Sequence, residues 1–108
     1  MSTKCTCTGA ACDAAGNGCG IHFHVGKSCA TAADVGGHLY GNGVTVDPWT
    51  GANGAHYTYS ATNKGLSTLA TSYGSDLKAS VGRAVVLHNE LGGRIGCGVL
   101  AESSASIN

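Results

Sequence analysis

The sequence is poor in proline, in aromatic residues and in charge. Its 108 residues hold one proline, 6% aromatic side chains and 11% charged ones, six basic against six acidic. With no net charge and no basic stripe, nucleic acid and anionic membrane surfaces are poor partners. No apolar run approaches the ~18 residues that a membrane span needs. No secretory signal is visible either, because Met1-Ser2-Thr3-Lys4 runs into cysteines without an apolar stretch. The length fits one domain at most, here taken as residues 1–108, and such a domain has a modest core that often needs covalent staples.

What the chain has instead is glycine, cysteine and histidine. Eighteen glycines against one proline point to a turn-rich all-β protein. Six cysteines favour an oxidising compartment, although sequence alone does not fix their pairing. Residues 1–20 lack periodicity and read as a Cys/Gly-rich stapled loop. Ile21 to Val25 alternates apolar residues with histidine, as a strand does. A loop follows over Gly26 to Asn42, with a short turn near Ala30–Asp34. Gly43 to Val46 reads as extended until Asp47-Pro48-Trp49 ends it, and Trp49 as a packing anchor for the long loop.

His56 to Ser60 alternates polar and aromatic residues and reads as a half-buried strand, with His56 on the exposed face. Asn63-Lys64-Gly65 reads as a turn. Leu66 to Leu77 is ambiguous, and Asp76 to Ser80 suits a helical turn. Gly82 to His88 is the most apolar strand and Arg94 to Leu100 another, joined by Asn89 to Gly93. Residues 101–108 form a loose polar tail.

Four of the five histidines are set in an order that suggests chemistry: His22-Phe23-His24, Gly36-Gly37-His38 and Val85-Val86-Leu87-His88. An H-x-H on a strand turns both imidazoles to one face. Two more histidines can complete a four-nitrogen site, and imidazole suits copper, zinc, iron and nickel.

These stretches resemble the copper site of the Cu/Zn superoxide dismutase superfamily. The matching motifs are Gly20-Ile21-His22-Phe23-His24-Val25, Gly36-Gly37-His38, Val81 to His88, and Gly93-Arg94-Ile95-Gly96-Cys97-Gly98-Val99-Leu100. They fall in the family's order over residues 20–100. The resemblance is closest to the copper-only branch and its repeat-protein relatives. No histidine follows His38 until His56, whereas zinc-containing members place two further histidines and an aspartate there. Only Asn89 to Gly93 separates His88 from Arg94, where zinc members have a long charged loop. Cys12…Cys19-Gly20, Gly26-Lys27-Ser28-Cys29 and Asp47-Pro48-Trp49 also resemble that branch.

The resemblance implies a Greek-key β-barrel or flattened sandwich. It implies copper ligands His22, His24, His38 and His88, with His38 at the position that bridges copper and zinc elsewhere in the family. No zinc is expected. It implies that Arg94 draws the superoxide anion to copper and that Cys29 pairs with Cys97. That bond closes a loop of about 70 residues, for which chain entropy suggests roughly 4 kcal/mol. Cys12–Cys19 is the second pair expected. Cys5 and Cys7 are then left free, strained if bonded directly, or bridged to another chain. A soft-metal site of Cys5, Cys7, Cys12 and Cys19 is a further alternative.

Without zinc, a carboxylate is expected to hold His38. Asp47 is the first choice and Glu90 the second. Arg83 reads as structural. Family domains carry about three strands before the H-x-H motif, and this chain has 21 residues there. The barrel is therefore expected to lack its N-terminal strands: either upstream sequence or a homo-oligomer supplies them, or the fold has shrunk.

The expected activity is copper-dependent superoxide dismutation by an extracellular or otherwise oxidising-compartment protein. The alternatives are an inactive copper-binding module of a secreted or repeat protein, and a zinc site of three or four histidines with hydrolytic or structural work.

Overall fold

The computed structural model describes residues 2–6, 17–50, 55–62, 71–76 and 78–102. The regular structure among them is a three-stranded antiparallel sheet with little helix, an all-β arrangement. No helix among the described residues is long and apolar enough to cross a membrane. The strands are β1 (Ile21–Phe23), β2 (Ala84–His88) and β3 (Arg94–Val99), in the order β1-β2-β3.

β1 pairs with β2 through Ile21↔Leu87, His22↔Val86 and Phe23↔Val85. Residues directly opposite share a face and strand side chains alternate, so His22, Val86, His88 and Ala84 stand on one side of the sheet. Phe23, Val85 and Leu87 stand on the other. β2 is the central strand, and its β-branched and apolar residues alternate in burial from Ala84 to His88. β3 pairs with β2 from Ala84↔Val99 to His88↔Arg94, with a register shift between Leu87 and His88.

The far edge of β1 is shared by two short segments. Towards its C-terminal end, Leu39 donates to the Phe23 carbonyl and Val25 to that of Gly37, and His24 and His38 form an antiparallel bridge. Towards the other end, Ile21 donates to Ala55 and Tyr57 to Cys19, with a Gly20↔His56 bridge. The H-x-H segment is thus enclosed on both edges, which brings His38 beside it.

Among the described residues, three apolar clusters pack this frame. Trp49, Phe23, Tyr73 and Ala55 form the largest, with Trp49 and Tyr73 ring centroids 5.0 Å apart. Val35, Ala84 and Val86 form a second on the histidine face, and Cys5, Cys19 and Tyr57 a third. Val35 comes from α1 (Ala32–Val35), in the region expected to turn. The Thr31 side chain accepts from the Asp34 amide at its start, and Gly36 at φ 71° ends it.

Three expectations need correction. Gly43–Val46 is not a strand, since Asn42 and Gly43 both hold positive φ and turn the chain, and Val46 is 78% exposed. His56–Ser60 is not a regular strand: it forms a single-residue bridge at His56, with the Tyr57 amide on the Cys19 carbonyl and the Tyr59 amide on that of Cys5. The helical turn expected within Asp76–Ser80 is present as a 3₁₀ turn over Lys78–Ser80. Cys19, expected to bond Cys12, is bonded to Cys5. Cys7 and Cys12, the turn at residues 63–65 and tail residues 103–108 lie outside the described residues. The soft-metal alternative fails, because the Cys5 and Cys19 sulfurs are joined to each other.

Cys29 is bonded to Cys97, across a separation of 68 residues. The two disulfides among the described residues fit an oxidising environment.

Candidate metal centre

Three imidazoles converge on one face of the sheet. His22, His24 and His88 are almost completely buried, and one ring nitrogen from each lies within 4.8 Å of the others. The His22 and His88 ring centroids are 4.6 Å apart. His38 stands against this trio, 4.5 Å from His22 and 4.8 Å from His24 by ring centroid. The strand alternation places His22 and His24, the β1–β2 register adds His88, and the His24↔His38 bridge adds the fourth ring.

Three of the rings are held by their Nδ1 atoms. His24 Nδ1–H donates to the Gly36 carbonyl at 2.8 Å, and His88 Nδ1–H to the Gly20 carbonyl at 3.2 Å. His38 Nδ1 meets the Asp47 carboxylate at 2.5 Å. A carbonyl can only accept, so the hydrogen of His24 and of His88 sits on Nδ1 and leaves the Nε2 lone pair open. This is the outer hydrogen bonding that metal-binding histidines use.

His22 differs, because neither of its ring nitrogens has a hydrogen-bond partner, and His24 Nε2 has none. Buried polar atoms are nearly always partnered, so orphan nitrogens on adjacent rings fit a metal ion as the missing partner. Gly20 gives His22 its room. A Cβ at Gly20 would lie 2.5 Å from both Cε1 and Nε2 of that ring, closer than any side chain allows.

Electrostatics keeps these rings neutral. Burial pushes the His22 pKa down to about 2, with His38, His88 and His24 adding repulsion. Burial also lowers those of His24 and His88, and the Arg94 charge pushes both further down. A neutral imidazole is the form that binds metal. An all-imidazole set suits copper, zinc, iron or nickel.

The surrounding residues sort themselves plainly. Asp47 is the carboxylate on His38, oriented by the Trp49 amide donating to its Oδ1 at 2.9 Å. Trp49 is in turn anchored by its indole N–H on the Leu39 carbonyl at 2.8 Å. Glu90, the second choice for this role, points elsewhere. It accepts from the Ser2 hydroxyl at 2.7 Å, which holds its carboxyl below the usual range. Arg94 is exposed on β3, with its guanidinium 3.5 Å from the Gly36 carbonyl that also receives His24. Arg83 donates to the Val25 carbonyl, a backbone tie. His56 is half-buried with its Nδ1 on the Gly18 carbonyl at 2.9 Å, not fully exposed.

Two supporting residues were not singled out from the sequence. Gly20 carried a usable signal, since it lies two residues before His22 and so shares its face. Tyr57 carried none, because its hydroxyl reaches His88 only through the fold.

No family model matches the chain, and no curated protein or solved structure matches it.

Proposed function

We propose that this chain is a copper-dependent superoxide dismutase that works without zinc, on a Greek-key β-barrel scaffold, in a secreted or otherwise oxidising setting. The observation that carries the reading is the four-imidazole cluster with unpartnered buried nitrogens, in which Asp47 takes the outer nitrogen of His38. The choice of copper and superoxide rests on the order of the motifs, from His22-Phe23-His24 to Arg94-Ile95-Gly96-Cys97-Gly98-Val99.

His22, His24, His38 and His88 would hold the ion, His24 and His88 through Nε2. Copper bound there would supply one-electron chemistry in both directions, so that two superoxide ions and two protons become dioxygen and hydrogen peroxide. The protein's part is to keep the imidazoles neutral by burial and to fix their tautomers. Asp47 holds His38 at Nδ1, and His38 would be the group that handles a proton. Arg94 keeps a fixed positive charge near His24 and His88, where it attracts a small anion.

A second reading, copper binding without turnover, is favoured by one observation. β3 is exposed along all six residues, so Arg94 sits on an open sheet edge. One experiment tests both. The protein is loaded with Cu(II), its EPR spectrum recorded and superoxide loss followed. A nitrogen-ligated copper signal with rapid turnover is expected. The same signal without turnover leaves the binding module, and absence of copper uptake overturns both readings.

A further inference from the structure

His88 is gripped at every polar atom except Nε2. Its amide donates to the Gly20 carbonyl at 2.8 Å, and its Nδ1–H donates to the same carbonyl. Its own carbonyl accepts the Tyr57 hydroxyl at 2.6 Å. The grip falls where β2 needs it, at the register shift between Leu87 and His88 where the regular ladder with β3 is interrupted.

Tyr57 also controls the other side of that grip. Its amide donates to the Cys19 carbonyl at 2.9 Å, next to Gly20. Cys19 holds a left-handed φ of 55°, unusual for a residue with a side chain. It is kept there by the bond to Cys5, by the Tyr57 amide and by its own amide on the Asn89 carbonyl at 2.8 Å. Tyr57, Cys5 and Cys19 are all fully buried and pack as one cluster with Leu87. The Tyr57 oxygen accepts from the Ser2 amide at 3.1 Å, so its one hydrogen is directed to His88.

We infer that Tyr57 is a positioning residue for the metal centre: its hydroxyl on the His88 carbonyl and its amide on Cys19 jointly aim the His88 imidazole. The inference rests on the ligand role proposed for His88. Outer-sphere partners of metal-binding histidines typically change metal affinity by about 10–100-fold when removed.

The test compares the wild type, Tyr57→Phe and Tyr73→Phe, each titrated with Cu(II) against a competing chelator and examined by EPR. Tyr73 is the control. It is a buried tyrosine whose hydroxyl bonds Ser80 and the Asp76 carbonyl, away from the histidines. Tyr57→Phe should bind Cu(II) about 10-fold more weakly with a changed copper hyperfine splitting, and Tyr73→Phe should do neither. Equal affinity and a superposable spectrum for Tyr57→Phe overturn the inference, as does the same loss in both variants. If Tyr57→Phe does not fold, 3-fluorotyrosine at position 57 replaces it. This keeps the ring and hydroxyl but makes the phenol a stronger donor. A shifted spectrum then supports the inference and an unchanged one overturns it. A wild type that takes up no Cu(II) overturns this inference together with the proposed function, whereas normal wild-type uptake with no Tyr57 effect overturns the inference alone.

Discussion

The Nδ1 atom of His38 and the Oδ2 atom of Asp47 are 2.5 Å apart, in a chain where the two residues are nine positions apart. The other carboxylate oxygen is fixed by the Trp49 amide, so the contact is held from both sides. Asp47→Asn keeps an oxygen for Trp49 but turns an N–H₂ donor towards His38. The ring must then rotate or change tautomer. Copper affinity is expected to fall by about 10-fold or more, read by chelator competition, while the thermal midpoint of the metal-free protein changes little. An unchanged affinity would mean that Asp47 does not orient His38 for metal.

Gly20 leaves no space for a side chain beside His22. Besides the ring, a Cβ there would meet the Asn17 carbonyl oxygen at 2.9 Å, and backbone cannot step aside as a flexible side chain can. Gly20→Ala should therefore move the His22 ring and strain the segment. Overpacking of this kind typically costs about 1–3 kcal/mol. Urea denaturation should register that loss, and the Cu(II) EPR spectrum should change with it. A variant with wild-type stability and spectrum would show that the ring has another place to go.

The buried histidines predict how stability depends on pH without metal. His22, His24 and His88 have pKa values lowered in the folded state, that of His22 to about 2. Below about pH 6.5, where an unfolded histidine takes its proton, the unfolded chain therefore binds more protons than the folded one. Stability rises with pH in that window and is lost as pH falls. The slope is at most about 1.4 kcal/mol per pH unit for each histidine. Denaturation midpoints of the metal-free protein should stay level from pH 8 to 7 and drop steadily from 6 to 5. A flat profile to pH 5 would mean that these rings are solvated.

Which parts of this centre could be read from the chain follows from how local each constraint is. His22 and His24 share a face by strand alternation alone. His88 joins them once β1 and β2 pair, and two apolar strand signals make that pairing readable. Asp47 was one of six acidic residues, and only the path of the loop from His38 to Trp49 decides for it over Glu90. The partner of Cys19 was misread because sequence spacing does not constrain a bond between a loop and the residue before a strand. Gly43–Val46 has strand composition, but two consecutive positive-φ residues at Asn42 and Gly43 turn the chain before a ladder can form.

The Cys29–Cys97 bond links the segment entering α1 to the exposed strand β3. Cys29 packs on the cluster of Val35, Ala84 and Val86. Replacing both cysteines with serine should cost about 2–5 kcal/mol, read as a lower urea midpoint. It should also loosen β3 and with it Arg94, so superoxide turnover should fall more than copper affinity does. Equal loss of both would indicate general unfolding of the site.

Arg94 provides the sharpest distinction between an enzyme and a binding module. It is exposed, its charge reaches His24 and His88, and it lines a cavity of about 280 Å³ together with Thr31, Val86 and the Cys29–Cys97 bridge. Under the proposed function, an anion entering that cavity meets the fixed charge of Arg94, which draws it towards the imidazoles. Attraction of this kind raises encounter rates by about 10-fold or more and weakens as salt screens it. Arg94→Ala should lower the second-order rate with superoxide by about 10-fold at low ionic strength and flatten its salt dependence. Arg94→Lys should keep most of the salt dependence, because it keeps the charge. Both variants should bind copper as the wild type does, because Arg94 is not among the proposed ligands. If Arg94→Ala reacts at the wild-type rate with the wild-type salt dependence, attraction by this residue is not part of the chemistry, and copper binding without turnover becomes the better reading.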